Sequence, residues 1–145
     1  MRLRRTISLP AVFLAGVLFL SAGPGVSGTL AQTSDEALRE LTRSFVTADA
    51  ARLGGLFTPT VDLAILRSSR QYSRRQATLM MRSFFREHPP QSFRVTDFTK
   101  TGRGWFIEAV YGTNDRPAPF RVYVRLRLDD RGWLIRDIMI EEERE

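Results

Sequence analysis

The sequence predicts an α+β fold in which N-terminal helices pack on a curved, mainly antiparallel sheet of four to five strands. Two observations lead to this prediction. Between residues 33 and 90 the apolar residues recur mainly at spacings of three and four, as they do on one face of a helix. From residue 91 onward they alternate with polar residues, which is the period of a half-buried strand. Because the helices precede a run of strands, we expect them to cover one face of the sheet.

The first 31 residues have the three-part layout of a secretory signal peptide. A basic start is followed by an apolar run over residues 11–20 and by small, turn-prone residues over 21–28. The apolar run is about half the roughly 20 residues that a spanning helix needs. We therefore expect cleavage after Ala31, with Gly28 as the second candidate and an uncleaved anchor as the less favoured alternative.

The absence of cysteine limits how the mature chain could be cross-linked or anchored. The chain has no cysteine, which excludes a disulfide framework, a zinc–cysteine site and a lipid anchor attached through cysteine. The mature protein is predicted to be periplasmic or secreted, without a stable membrane anchor once the signal peptide is removed. Residues 32–140 are predicted to form one domain, and residues 141–145 an acidic tail.

Two helices and a strand are predicted first. Thr33 and Glu36 form a capping box, because each side chain can accept a backbone N–H of the first turn. Glycines 54 and 55 interrupt the helical pattern, and a short helical turn is expected around them. The segment of residues 61–66 is short and mostly apolar, and it is predicted to form a strand. The apolar positions of the first helix are Leu38, Leu41, Phe45 and Ala48.

The clearest helix opens at a second capping box, Ser73 with Gln76, and ends before Pro89 and Pro90. Its polar side carries arginines. Its apolar face has the helical spacing i, i+3, i+4, i+7 and i+8 and consists of Ala77, Met80, Met81, Phe84 and Phe85.

Four consecutive strands are predicted after that helix. The first contains Phe93, Val95 and Phe98 and is expected to bulge near Asp97. The second runs over residues 105–111. The third, over 120–128, alternates strictly and is the least ambiguous strand of the chain. The last spans residues 133–140.

Several motifs together resemble a known family. They are Tyr-Ser-x-x-Gln-Ala at residues 72–77, Phe-Phe at 84–85, Pro89, and Phe-Arg-Val-Tyr at 120–123. With them, the stretch from residue 71 to residue 140 resembles a bacterial secreted family known only as domain of unknown function 4783. The resemblance implies a cone-shaped fold like that of nuclear transport factor two, also called cystatin-like, and it implies no activity. The chain departs from the family where its helix carries Arg in place of Lys or acidic residues.

The basic residues indicate a candidate binding surface. Residues 67–136 hold 15 of the 22 basic residues and 6 of the 16 acidic ones. On the third of the four strands, Arg121, Tyr123, Arg125 and Arg127 share one face. Guanidinium groups pair with phosphate and carboxylate, so this face can bind an anion or an acidic partner. A merely solvated sheet face is the alternative. Nucleic acid is not an expected partner, because no nucleic-acid-binding motif is present.

A cone-shaped fold has a cavity between its helices and its sheet, and the residues that line it are a second set of candidate binding residues. The side chains expected to line a cavity there are Tyr72, Met81, Phe84, Phe85 and Tyr111. Such a cavity would take a small apolar or anionic ligand. His88 is the only histidine, and beside a helix C-terminus it interacts favourably with the dipole. No catalytic residue, metal site or cofactor is predicted.

Three functions are therefore open. The favoured one is an exported, non-catalytic domain that binds a ligand in its cavity or a partner protein through its sheet. The second is an enzyme of the isomerase or dehydratase kind, in which Asp62, Asp97 or Asp137 in a pocket acts as the base. The third is a structural subunit that forms a homodimer.

Overall fold

The computed structural model describes residues 33–143, so the predicted signal peptide and its cleavage site lie outside the described residues. Within that range the chain forms three helices and six strands. The helices are α1 (Ser34–Val46), α2 (Ala50–Gly55) and α3 (Arg74–Glu87). The strands are β1 (Phe57–Ile65), β2 (Ser68–Ser73), β3 (Pro90–Thr101), β4 (Gly104–Thr113), β5 (Phe120–Asp129) and β6 (Gly132–Glu142).

Both predicted capping boxes are confirmed. The Thr33 hydroxyl accepts from the Glu36 backbone N–H at 3.2 Å, and the Glu36 carboxylate accepts from the Thr33 N–H at 3.0 Å. Ser73 and Gln76 exchange the same two hydrogen bonds at the start of α3, each at 3.3 Å. These contacts satisfy amide groups that the first helical turn leaves without partners. At the other end of α3, His88 is the C-cap residue.

The sheet has the strand order β2-β1-β6-β5-β4-β3. All neighbouring strands are antiparallel except β1 and β6, which are parallel. The α+β prediction is confirmed, and so is the mainly antiparallel sheet. Within residues 33–143, no helix is both long and apolar enough to cross a bilayer.

The predicted count of four to five strands is wrong, because β2 adds a sixth. Its sequence, SSRQYS, exposes every side chain except that of Tyr72, which is half-buried. A strand without a buried face shows no hydrophobic alternation, so the sequence pattern does not reveal it. The strand forms because Leu66 and Arg67 turn the chain back onto β1, where Ile65 pairs with Ser68.

Two details of the strand predictions can be checked against the register. The pairing of β3 with β4 shifts between Val95 and Asp97, which confirms the bulge expected there. The last strand, predicted to end at residue 140, extends two residues further, to Glu142. Glu141 and Glu142 continue β6 because they pair with Arg121 and Phe120 of β5.

The core lies between the helices and one face of the sheet. The alternation of β4 and β5 directs one set of side chains inward, among them Trp105, Ile107, Val122, Val124 and Leu126. Helices α1 and α3 contribute their predicted apolar faces to the same core. Phe45 of α1 stacks on Phe93 with ring centroids 4.5 Å apart and meets Phe85 edge to face at 5.4 Å. A fully buried phenylalanine stabilises a fold by about 1.5–3 kcal/mol.

Candidate functional site

The side of the sheet turned away from the helices, called here the outer face, carries the four residues predicted to bind a partner. Phe120, Val122, Val124 and Leu126 of β5 are buried against the helices. Successive strand residues point to opposite sides. Arg121, Tyr123, Arg125 and Arg127 therefore share the outer face, where the three arginines are exposed and Tyr123 is half-buried.

The register of the sheet sets the neighbours of these residues on β6. Arg121 pairs with Glu141, Tyr123 with Met139, and Arg125 with Asp137. Arg121 and Arg125 thus each lie beside a carboxylate on the next strand, and Tyr123 lies beside an exposed methionine. We call these six residues the β5–β6 strip.

An apolar centre lies across the middle of the outer face. The rings of Tyr123 and Phe106 are stacked, with centroids 6.1 Å apart and an interplanar angle of 18°. Met139 is 38% exposed, and Ala64 pairs with it from β1. These side chains border an open pocket of about 190 Å³ that Asp62, Arg125 and Asp137 also line.

Two ion pairs join this face to nearby carboxylates. Arg121 Nη2 lies 3.0 Å from Glu143 Oε1, and this hydrogen bond raises the pKa of the guanidinium above its ordinary value. Arg125 Nη1 lies 3.8 Å from Asp137 Oδ2. Exposed pairs of this kind contribute little to stability, so the charges remain available to a partner.

Arginines also cluster near the C-terminal end of β5. An open groove of about 270 Å³ is lined by Arg103, Arg125, Arg127 and Arg136. Arg103 donates two hydrogen bonds to the Leu128 carbonyl. Within residues 33–143, Arg127 and Arg136 make no ion pair. This end of the outer face is therefore its most positively charged part.

None of the three aspartates weighed as catalytic bases is buried: Asp62 and Asp97 are exposed and Asp137 is half-buried. Asp62 and Asp137 are neighbours on β1 and β6 and belong to the outer face. Asp62 also accepts a hydrogen bond from Gln71 at 3.3 Å. Asp97 is exposed at the β3 bulge, where its carboxylate accepts from the Phe98 N–H at 2.8 Å. Asp97 and Asp137 point away from the core because the strand register shifts just before each of them, between Val95 and Asp97 in β3 and between Ile135 and Asp137 in β6.

The predicted cavity-lining residues are placed mostly in the core. Met81, Phe84, Phe85 and Tyr111 are buried, and the Tyr111 ring lies 5.4 Å from Phe84 and 6.3 Å from Phe85 between centroids. Tyr72 is half-buried on the edge strand β2, opposite Val61. The structure thus places four of the five in one buried cluster, in which the rings of Phe84, Phe85 and Tyr111 contact one another. Burial raises the pKa of Tyr111 above its ordinary range.

His88 belongs to a polar cluster that sequence reasoning did not identify. Its imidazole packs against Phe84 and Phe120, with ring centroids 5.1 and 4.9 Å away. Its backbone carbonyl accepts a hydrogen bond from the Tyr111 hydroxyl. Asp115, on the loop between β4 and β5, places Oδ2 3.9 Å from His88 Nδ1. The turn-rich composition of residues 112–119 predicted that loop but carried no sign of its contact with His88.

The carboxylates and the histidine of the described range do not group as metal ligands. Among these residues, no three histidine, aspartate or glutamate side chains lie together so that they could hold a metal ion.

Comparisons with known proteins concern the whole domain. The family described as Domain of unknown function (DUF4783) matches residues 38–141. A DUF4783 family protein from Bacteroides uniformis has a similar structure, with a TM-score of 0.68 and 25% sequence identity over 74% of this chain and 97% of that one. One from Bacteroides ovatus gives a TM-score of 0.68 and 23% identity over 73% and 94% of the two chains. The search of curated proteins finds no match.

A more distant structure confirms the fold expected from the resemblance. An NTF-2 like protein of unknown function from Silicibacter pomeroyi gives a TM-score of 0.53 at 12% identity, covering 73% of this chain and 89% of that one. At this identity the likeness concerns the fold alone. It supports the cone-shaped, nuclear-transport-factor-two-like architecture.

Proposed function

The chain belongs to the DUF4783 family, and we propose that it is an exported, non-catalytic interaction module that binds a second copy of itself through the outer face. The observation that carries this proposal is the β5–β6 strip, defined above, in which Arg121, Tyr123 and Arg125 of β5 each lie beside a residue of complementary chemistry on β6. A surface of this kind is complementary to itself.

In a two-fold symmetric dimer, the pairing between β5 and β6 would recur between the two copies as specific contacts. A two-fold axis parallel to β5 and β6, and running between them, places β5 of one copy over β6 of the other. Arg125 then meets Asp137 of the second copy, Arg121 meets its Glu141, and Tyr123 meets its Met139. Two-fold interfaces repeat every contact twice, so four charge pairs would flank two aromatic–methionine contacts. Complementary charges favour encounter and fix the register of such an interface.

The apolar centre supplies the contact area that charges alone lack. Aromatic residues, methionine and arginine are enriched in protein interfaces. Phe106, Tyr123 and Met139 provide these types in one patch, and arginines surround it. Desolvating this patch would provide most of the binding free energy, whereas the rim charges would set orientation and salt sensitivity.

The interior of the domain gives less support to a ligand-binding cavity or to an isomerase-like enzyme. Large rings in mutual contact occupy the space where a ligand was expected. The candidate bases are exposed or half-buried, whereas a carboxylate prepared for general-base catalysis is desolvated by burial against apolar groups. An interaction module therefore accounts for more of the described surface than a ligand carrier or an isomerase-like enzyme.

A charge-swap experiment tests the proposed dimer. Arg125→Glu places a second carboxylate opposite Asp137 of the other copy, and Asp137→Arg places two arginines opposite each other. Each variant alone should self-associate at least about tenfold more weakly, because like charges in an interface are strongly unfavourable. An equimolar mixture should form a heterodimer, since every cross-interface pair is again complementary.

The measurement is sedimentation equilibrium over a range of protein concentrations and two salt concentrations. Arg82→Glu is the matched control, because Arg82 is an exposed arginine on α3, away from the outer face. A wild-type protein that stays monomeric, a control that dissociates as the test variants do, or a mixture that does not pair would each overturn the proposal.

Export is tested separately. The proposed signal peptide predicts that protein recovered from the envelope or medium of its bacterial host begins at Gln32. Intact mass spectrometry reports this directly, and a chain that retains Met1 and remains in the cytoplasm contradicts the proposal.

A further inference from the structure

Four exposed arginines converge on the open groove near the C-terminal end of β5, which has a volume of about 270 Å³. Its lining residues are Arg103, Gly104, Arg125, Leu126, Arg127 and Arg136. The groove is formed within one chain, so its chemistry does not depend on the proposed dimer.

A β-bulge brings Arg136 to this groove. Leu126 of β5 pairs with Ile135 of β6, whereas the preceding residue, Arg125, pairs with Asp137. Arg136 is therefore an extra residue between two paired ones, and bulges of this kind redirect a side chain. The bulge thus adds a guanidinium from β6 to those that strand alternation places on β5.

Arg103 reaches the groove from the turn between β3 and β4. Its Nε and Nη2 donate to the Leu128 carbonyl at 3.0 and 2.8 Å, and the Leu128 N–H donates to the Arg103 carbonyl at 2.8 Å. These hydrogen bonds hold the guanidinium against the end of β5 and leave its other N–H donors for a ligand. A side chain that is already oriented loses little conformational freedom when it binds.

The positive charge of the groove is largely uncompensated. Within residues 33–143, Arg103, Arg127 and Arg136 make no ion pair. Among the same residues, no carboxylate side chain lines the groove. Three guanidinium groups from the β3–β4 turn, β5 and β6 therefore face one open space without a counter-charge.

Two carboxylates near this end of the sheet are engaged elsewhere. Asp137 Oδ2 lies 3.8 Å from Arg125 Nη1. Asp129 Oδ1 accepts a hydrogen bond from the Arg131 N–H at 2.7 Å, within the turn between β5 and β6. Neither carboxylate takes up the charge of the other three arginines.

Gly104 keeps the space between the guanidinium groups open. It pairs with Arg127 across β4 and β5, so a side chain at position 104 would project to the same side of the sheet. A Cβ atom there would make an ordinary contact, 3.5 Å from the Thr101 carbonyl oxygen. Packing against that neighbour therefore does not demand glycine, and the missing side chain leaves room for a ligand beside Arg127.

We propose that this groove binds a phosphate group that carries two or more negative charges, as in a phosphomonoester or a diphosphate. Guanidinium groups bind phosphate oxygens through paired, charge-assisted hydrogen bonds. A carboxylate, with a single charge, would leave most of the charge of the groove unneutralised. A phosphate of this kind occurs on free anions and on the headgroup of phosphatidic acid, and the experiment below distinguishes the two sources.

Two binding assays on the purified protein, both at low salt because salt screens exposed charges, test the proposal. Calorimetric titration with pyrophosphate measures binding of the free anion, with acetate as the control ligand. Flotation with vesicles of phosphatidic acid and phosphatidylcholine in equal parts measures binding of the headgroup, with pure phosphatidylcholine vesicles as the control. We expect saturable binding of at least one of the two phosphate probes, and the probe that binds identifies the source.

Variants then assign the binding groups. Arg127→Gln and Arg136→Gln each remove one guanidinium from the groove and should weaken binding at least about tenfold. Arg82→Gln, at an exposed arginine on α3, removes the same charge at a distance from the groove and should bind as the wild type does. Gly104→Val keeps every charge but fills the space opposite Arg127, so it should also weaken binding, and its urea midpoint checks that it is folded.

Four results would overturn the proposal. They are no saturable binding of either phosphate probe, equal weakening by Arg82→Gln and Arg127→Gln, wild-type affinity in both groove arginine variants, and wild-type affinity in folded Gly104→Val. The second and fourth results would indicate diffuse attraction to a basic protein. Each result concerns the groove alone, because Arg125 and Asp137 are unchanged, whereas the dimer test alters those two residues and measures self-association.

Discussion

Two adjacent glycines of α2 should respond in opposite ways to the same substitution. A Cβ atom placed on Gly54 would lie 2.2 Å from Thr78 Oγ1 and 3.2 Å from its Cγ2, whereas a Cβ on Gly55 would meet nothing within 4 Å. The Thr78 hydroxyl cannot easily move, because it donates to the Arg74 carbonyl at 2.8 Å on α3. Gly54 is therefore the point where α2 approaches α3.

The magnitudes follow from that geometry. Replacing glycine by alanine in a helix stabilises by about 0.5–1 kcal/mol when nothing clashes, which is the expectation for Gly55→Ala. Gly54→Ala gains the same term but overpacks the contact with α3, and overpacking costs about 1–3 kcal/mol. We expect Gly54→Ala to lower the free energy of unfolding by about 1 kcal/mol, so the two variants should differ by roughly 2 kcal/mol.

Urea denaturation measures this difference through the midpoint at constant m-value. A double-mutant cycle with Thr78→Ala assigns the cause. Removing Oγ1 and Cγ2 of Thr78 should make the double variant more stable than the sum of the single effects by at least about 1 kcal/mol. If Gly54→Ala stabilises as much as Gly55→Ala, or if Thr78→Ala leaves its effect unchanged, the close packing of α2 on α3 is refuted.

Three further predictions concern single residues. Leu66 has φ +56° and is 41% exposed, so Leu66→Gly should relieve strain and raise the free energy of unfolding by up to about 1 kcal/mol in urea titrations; a lower value would contradict this. Tyr111→Phe should lower it by about 1–3 kcal/mol, because the His88 carbonyl loses the donor that the tyrosine hydroxyl provides, and an unchanged urea midpoint would refute that role. The Thr113 hydroxyl beside Asp115, and then the charges of His88 and Arg116, hold the pKa of the Asp115 carboxyl below its usual value. That stabilisation is present above the ordinary carboxyl pKa and is lost as pH falls through the lowered one, so Asp115→Asn should be less stable at neutral pH and converge with the wild type in acid, and a constant difference across pH would argue against it.

Much of the fold could be predicted from local pattern. The capping boxes, the amphipathic face of α3 and the alternation of β4 and β5 depend on residues within a few positions of one another. Alternation also assigned Arg121, Arg125 and Arg127 to one exposed side of β5 without reference to the neighbouring strands. Even the β3 bulge was predictable, because the apolar spacing changes at Asp97.

Other features had no local signal. Strand β2 exposes nearly all of its side chains, so only its pairing with β1 reveals it. The parallel pairing of β1 with β6 joins segments more than 70 residues apart and places Asp62 beside Asp137. Long-range pairing of this kind depends on how whole faces pack, which hydrophobic period does not specify.

The outer face and the cluster around His88 show the same difference between what local pattern determines and what the tertiary structure determines. The sequence by itself determined the arginines and the tyrosine that β5 presents to one side, because strand alternation is a property of the backbone. Only the tertiary structure decided that carboxylates and a methionine on β6 accompany them, and that Asp115 lies beside His88 and Thr113. These residues come from different elements, and the pairing of β3 with β4 and of β5 with β6 brings them within contact distance. The physical reason is that a side chain's direction is set locally, whereas its neighbours are set by the sheet.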